Sequence, residues 1–114
     1  MNFERNNKPI VRFSDSVNFY FEELIETLFW QDYFGFVDSA VQYVVDMRNY
    51  IEKYIAVLPA QIAPHYFSKY QAGMKYIVYS PNNRTSWYIF FLQDENRYLV
   101  CYITNNHFEG QYIR

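Results

Sequence analysis

The chain has 114 residues and a mass of 14.0 kDa, a length that fits one domain and leaves no room for a second of ordinary size. Hydrophobic residues make up 51% and aromatic residues 23% of it, which excludes an intrinsically disordered chain. No apolar run approaches the ~18 residues of a membrane span, and the polar start MNFERNN lacks the apolar segment of a secretory signal peptide. We therefore expect a single cytoplasmic domain over residues 1–114.

The net charge is −2, and the acidic and basic residues are segregated along the chain. Residues 14–58 hold eight acidic and two basic residues, whereas residues 1–13 and 69–114 each carry a net charge of +2. The small total argues against a general nucleic-acid coat protein, since such proteins carry a strong excess of basic residues. Two explanations stay open: a local basic face on the C-terminal part, or a solvated acidic helix pair beside a mildly basic sheet.

The residue types that bind metals and phosphates are sparse. Cys101 is the only cysteine, which excludes an internal disulfide and a cysteine-rich zinc site, and it is expected to be an inert buried thiol. His65 and His107 are the only histidines and have no acidic or cysteine neighbours at ligand spacing. The three glycines do not cluster into a phosphate-binding loop. We expect neither a metal site nor a cofactor.

The N-terminal half predicts one short strand followed by two helices. Residues 9–13 are rich in β-formers and predict a brief strand. Apolar side chains then recur at helical spacing over residues 16–33 and again over residues 38–58, where Pro59 ends the pattern. Gly35 separates the two helical patterns, and so short a connection predicts an antiparallel helical hairpin.

The C-terminal half predicts an antiparallel sheet. A loop over residues 59–73, with one helical turn from His65 to Lys69, is followed by patterns of period two. Strands are expected at residues 75–79, 87–92 and 98–104, and the short turns between them predict a meander. The predicted fold class is α+β, a helical hairpin packed on a small antiparallel sheet in the order β-α-α-β-β-β.

Both faces of the middle predicted strand are apolar. Tyr88 and Phe90 lie on one face, and Trp87, Ile89 and Phe91 lie on the other. Because the two helices can cover only one face, the other face needs a cover as well. A partner protein, a second copy of the chain, or the C-terminal tail folding back could each supply it.

Three residues at the ends of the strands, Arg84, His107 and Tyr112, form what we call the strand-end cluster. Arg84 precedes the middle strand and His107 follows the last one, so an antiparallel meander places them near each other, with Arg97 remote at the opposite turn. Neighbouring arginine, histidine and tyrosine side chains could bind a phosphate and move protons, as metal-free RNA cleavage requires. The alternative is that they are surface turn residues without chemistry.

The segments 87–91, 98–107 and 111–113 resemble the end of toxins of the RelE/ParE superfamily, which share the element order inferred above. The resemblance implies the toxin component of a toxin–antitoxin system, neutralised by an antitoxin protein. RelE-like members cut messenger RNA on the ribosome without a metal, and ParE-like members inhibit DNA gyrase. For an RNA-cleaving member it implies that the catalytic residues are Arg84, His107 and Tyr112 and that the nucleic-acid-binding residues are Lys69, Lys75 and Arg84.

The charge of the chain departs from that of the RNA-cleaving members, which are strongly basic. Binding to the ribosome is electrostatically demanding, so a net charge of −2 fits gyrase inhibition or antitoxin binding alone better. Two further hypotheses remain open. One is a non-catalytic protein-interaction module of the same fold that forms a homodimer, and the other is an unrelated small α+β protein.

Overall fold

The computed structural model describes residues 8–30 and 37–113. Its helices and strands, in chain order, are β1 (Ile10–Phe13), α1 (Asp15–Trp30), α2 (Val37–Tyr54), β2 (Gln61–Ile62), β3 (Lys75–Tyr79), β4 (Trp87–Asp94), β5 (Arg97–Asn105) and α3 (Asn106–Glu109). Two short 3-10 helices, His65–Lys69 and Gly110–Tyr112, complete the fold. The domain is therefore of the mixed α+β class, as predicted.

The two helices follow the predicted apolar stripes, with different ends. Ser14 caps α1, because its Oγ accepts a hydrogen bond from the Val17 N–H at 3.2 Å. Helix α2 ends at Tyr54 rather than at residue 58, and a turn follows in which the N–H groups of Val57 and Leu58 donate to the Tyr54 carbonyl at 3.0 and 2.9 Å. The expected helix end at residues 31–33 and the expected turn at Gly35 lie outside the described residues. Among the described helices, none has both the length and the apolar character needed to cross a bilayer.

The five strands form one sheet in the order β1-β5-β4-β3-β2. Strands β3, β4 and β5 are the predicted antiparallel meander. Strand β1 lies parallel to β5, with Ile10 opposite Arg97 and Phe13 opposite Val100, so the sheet is mixed and the expectation of a purely antiparallel sheet was wrong. Strand β2 is too short to show a period in the sequence, and it was not predicted.

The two faces of β4 pack into two separate cores. Trp87, Ile89 and Phe91 belong to the helix-side core, which α1 and α2 cover. Phe90 belongs to a second core on the opposite face, where the fully buried Phe67 packs on its ring with centroids 4.4 Å apart. The second face is thus covered by the segment that contains the 3-10 helix His65–Lys69, together with the C-terminal residue Ile113. Of the three expected covers, the C-terminal tail is present, and the segment between α2 and β3, which was not expected to cover this face, packs beside it.

A β-bulge in β5 determines the face of the sheet on which Tyr102 lies. Phe91 lies opposite Val100 and Phe90 lies opposite Tyr102, which leaves Cys101 without a partner across the ladder. Strict alternation would place Tyr102 on the same face as Val100. Because of the extra residue, Tyr102 instead packs against the second core, while Val100 stays in the helix-side core.

Candidate functional site

A cleft lies beside the outer edge of β5. Strand β1 pairs with β5 only as far as Val100, whose carbonyl accepts a hydrogen bond from the Ser14 N–H at 2.9 Å. Beyond that point none of the described strands pairs with this edge. A cleft of about 630 Å³ opens there between α1, the segment of residues 66–70 and the C-terminal residues. We call it the tyrosine cleft after the aromatic side chains that line it, Tyr20, Tyr66, Tyr70, Tyr102, Phe108 and Tyr112.

The C-terminal turn brings a carboxylate into this cleft. The Asn105 side chain caps α3 by accepting hydrogen bonds from the N–H groups of His107 and Phe108 at 2.9 and 3.1 Å. The chain thereby reverses and places Glu109 over the second face of β5. Glu109 is only 8% exposed, which is rare for an acidic residue unless its charge is well solvated by the protein.

Tyrosine hydroxyls supply that solvation. The Tyr102 hydroxyl donates to Glu109 Oε1 at 2.5 Å, and the Tyr70 hydroxyl donates to Glu109 Oε2 at 2.8 Å. Burial acts to raise the pKa of Glu109, but hydrogen bonds from surrounding hydroxyl groups outweigh it and lower the pKa below its ordinary value. These hydroxyls belong to Tyr102, Thr104, Tyr70 and Tyr66. Glu109 is therefore ionised at neutral pH.

The tyrosines around Glu109 hold their protons. Burial, followed by the hydrogen bond to Glu109, raises the pKa of Tyr102 far above its ordinary value. Burial and the nearby charge of Glu23 raise the pKa of Tyr20 to about 12, with a smaller contribution from Glu109. At neutral pH these hydroxyls are hydrogen-bond donors, and the charge of the cleft resides on its carboxylates.

The rings of four tyrosines form two stacked pairs. Tyr66 lies on Tyr112 with centroids 3.7 Å apart and an interplanar angle of 1°, and Tyr70 lies on Tyr102 at 3.9 Å and 13°. The Lys69 ammonium lies 3.7 Å from the centroid of the Tyr66 ring. Since Tyr112 occupies one face of that ring, Lys69 takes the other, in a cation–π contact.

The charge that lines the tyrosine cleft is acidic. Among the described lining residues Glu23 and Glu109 are charged, and none is basic. No described lysine, arginine or histidine forms an ion pair with Glu109. Within residues 8–30 and 37–113, the ion pair that does form joins Arg97 to Asp94. The negative charge of Glu109 is thus stabilised mainly by neutral hydroxyl groups, while the Lys69 ammonium interacts with it electrostatically without forming an ion pair.

Cys101 also lines the cleft but is not poised to react. Its Sγ donates to the Leu99 carbonyl at 3.4 Å, and burial raises the pKa of the thiol above its ordinary value. A nucleophilic cysteine needs a lowered pKa. Over residues 8–30 and 37–113, no group of three histidine, cysteine or acidic side chains is arranged to hold a metal ion.

The structure brings two members of the strand-end cluster into one region. The carbonyl of Arg84 accepts a hydrogen bond from the Asn106 side chain at 3.0 Å, and Thr85 Oγ1 is hydrogen-bonded to His107 Nε2 at 3.2 Å. The Arg84 and His107 side chains are both exposed. Arg97 lies at the opposite end of the β4–β5 hairpin, as expected.

The third member, Tyr112, lies elsewhere. It packs on Tyr66 in the tyrosine cleft, whose described lining includes neither Arg84 nor His107. The basic residues expected to bind nucleic acid are also dispersed, because Lys69 lies on the Tyr66 ring and Lys75 begins β3 with its side chain exposed. The three residues expected to be catalytic therefore do not form one constellation.

Glu109 and the paired tyrosines are the functional candidates that sequence reasoning missed. In the sequence, Glu109 is one of several polar residues that follow the last strand. Two signals could have pointed to it: the Asn105 cap, which turns the chain back over β5, and the spacing of Tyr66 and Tyr70, four residues apart in an aromatic segment. Neither signal by itself indicates a buried carboxylate.

Comparison of the chain with models of protein families, with curated proteins and with solved structures finds no significant match.

Proposed function

We propose that the protein is a non-catalytic binding domain and that the tyrosine cleft is its binding site. The observation that carries this proposal is the arrangement around Glu109, a buried carboxylate held by two tyrosine hydroxyls in a cleft of about 630 Å³. A concave site with mostly aromatic walls and a few fixed polar groups is the usual form of a ligand pocket. The open edge of β5 beside it leaves one side accessible to solvent or to a ligand.

The protonation states of the cleft favour binding over catalysis. A general acid or base works best when its pKa is near the working pH. Here the pKa of Glu109 moves down and the pKa values of Tyr20 and Tyr102 move up, so both kinds of group move away from neutrality. Such groups keep one charge state and one set of hydrogen bonds, which suits recognition.

Chemical-shift mapping by NMR with a set of neutral, anionic and cationic fragments tests this proposal. We expect at least one class to give saturable shifts at Tyr66, Tyr102 and Glu109, while residues at the far end of β4 stay unchanged. A set in which no fragment produces saturable shifts at the cleft would refute the proposal.

A second proposal follows the RelE/ParE resemblance, in which the chain is a toxin component neutralised by an antitoxin. The observation that favours it is the pair of contacts that join the loop before β4 to the residues after β5, at Arg84 and at His107. An exposed arginine beside an exposed histidine could hold a phosphate and assist proton transfer. Tyr112 stacks on Tyr66, so it could take part only if this stack rearranged.

Induced expression followed by analysis of messenger RNA integrity tests the nuclease form of this second proposal. If Arg84 holds the scissile phosphate, Arg84→Ala should lower cleavage roughly 10- to 150-fold, the equivalent of one charge-assisted contact. Arg97→Ala is the matched control, because Arg97 lies at the opposite end of the hairpin. Intact transcripts in cells poisoned by the wild type would exclude RNA cleavage and leave gyrase inhibition.

A further inference from the structure

We infer that the ligand of the tyrosine cleft is an organic cation, an ammonium or guanidinium group carried on an apolar body. The inference rests on the proposed binding function of this cleft and adds the chemical class of the ligand. Three properties of the cleft lead to it: its charge, its aromatic walls, and the position of the nearby Lys69 ammonium group.

The negative charge of the cleft favours a positively charged ligand. Glu109 is 8% exposed, Glu23 on α1 also lines the cleft, and the described lining residues include no basic side chain to neutralise them. An anionic ligand would meet two carboxylates, one of them buried, and like charges repel more strongly where burial lowers the local dielectric constant. A cation would instead supply the opposite charge that the tyrosine hydroxyls cannot provide.

The aromatic walls select an organic cation over a hydrated metal ion. Six aromatic side chains line the cleft, and the faces of such rings attract cations that shed water readily. Tyr112 has Tyr66 on one face and is 38% exposed, and Phe108 is 76% exposed at the rim. These two rings can contact the apolar body of a ligand whose charged end approaches Glu109.

Lys69 shows that the same aromatic cluster already holds an ammonium group. Its Nζ lies 3.7 Å from the centre of the Tyr66 ring, and the hydrogen bond to Tyr66, helped by Glu109, raises the pKa of Lys69. Lys69 is not among the lining residues and makes no ion pair with Glu109. It occupies the outer face of the tyrosine stack and leaves the interior of the cleft without a cation.

The test measures binding of matched probes to the full chain by NMR titration at neutral pH. Benzyltrimethylammonium and benzylammonium are the cationic probes, and benzyl alcohol is the neutral probe of similar shape. We expect both cations to bind at least 10-fold more tightly than benzyl alcohol, with shifts at Tyr102, Glu109 and Tyr112. A peptide with one trimethyllysine, compared with benzyltrimethylammonium, shows whether the cation is a protein side chain or a free amine.

Three variants locate the site. Glu109→Gln should weaken binding of the cations at least 10-fold and leave benzyl alcohol unchanged, whereas Glu26→Gln, on α1 but outside the cleft, should have no effect. Phe108→Ala should weaken binding about threefold or more. Because Phe108 is exposed, this variant keeps the test decisive if Glu109→Gln fails to fold.

The outcomes separate this inference from the proposed function. Equal binding of benzyl alcohol and the cations, or stronger binding of anionic fragments at the same residues, would overturn the inference while the cleft remained a binding site. Absence of saturable binding by every class of fragment would overturn both. Cation binding that Glu109→Gln and Phe108→Ala leave intact would place the ligand elsewhere and refute the inference.

Discussion

The hydroxyl of Tyr102 offers a sharp test of how Glu109 is held. Replacing Tyr102 by Phe removes a donor 2.5 Å from Glu109 Oε1 and preserves the ring that stacks on Tyr70. The carboxylate then keeps its charge in a site where it is 8% exposed, with one fewer hydrogen bond. A hydrogen bond to a charged group contributes about 1.5–3 kcal/mol, so Tyr102→Phe should lower the free energy of unfolding by about that amount. For a chain of this length the melting temperature should fall by roughly 5–12 °C.

The loss should depend on pH in a defined direction. The pKa of Glu109 is lowered in the folded state, so its ionised form stabilises the protein above the ordinary value of 4.5, and this stabilisation is lost as the pH falls through the lowered value. The bond from Tyr102 is one cause of the lowered pKa. The stability difference between wild type and Tyr102→Phe should therefore be full at pH 7 and shrink as the pH falls below about 4.5.

Urea denaturation at pH 7 and at several acidic pH values measures this difference. Tyr88→Phe is the matched control, because Tyr88 is half-buried on the same face of the sheet and its hydroxyl has no hydrogen-bond partner in the described structure. We expect a change below about 0.5 kcal/mol for the control. A Tyr102→Phe loss no larger than that of the control, or one that does not change with pH, would refute the description of Glu109 as a charge held by tyrosine hydroxyls.

Two further predictions concern an alkaline transition and the second core. The pKa of Tyr20 is about 12 in the folded protein against 10.0 ordinarily, so the contribution of Tyr20 to stability should be constant below pH 10 and fall by roughly 2–3 kcal/mol as the pH rises through 12. Tyr20→Phe should flatten this decline in denaturation experiments at pH 9 to 12, and an unchanged slope would contradict the assignment. Phe67→Ala should cost about 3–5 kcal/mol, because Phe67 is fully buried against Phe90, and the variant should bind a hydrophobic dye that the wild type does not. The exposed Val57→Ala is its control, and dye binding by the wild type itself would show that the second face is not covered in solution.

Local patterns in the sequence predicted most of the elements. The stripe that includes Val17, Phe21 and Leu24 predicted α1, and period two predicted β3, β4 and β5, because burial on one side of a helix or strand leaves its period in the sequence. The helical turn at His65–Lys69 was also predicted. The alternation along β4 correctly divided Trp87, Ile89 and Phe91 from Tyr88, Phe90 and Leu92.

The tertiary structure decided everything that depends on residues far apart in the chain. Strand β1 joins β5 in parallel through contacts across more than 80 positions, which no local period records. The bulge at Cys101 turns Tyr102 towards the second face, whereas simple alternation assigns it to the helix side.

The charge state of the tyrosine cleft has the same origin. Glu109 looks like a solvated acid in the sequence, and its burial arises only when Tyr70 and Tyr102 converge on it from separate segments. Local residue patterns specify where the chain forms helices and strands, since those preferences depend on neighbours within a few residues. The fold determined which polar groups lose water and which partners replace it, and the lowered pKa of Glu109 follows from that exchange.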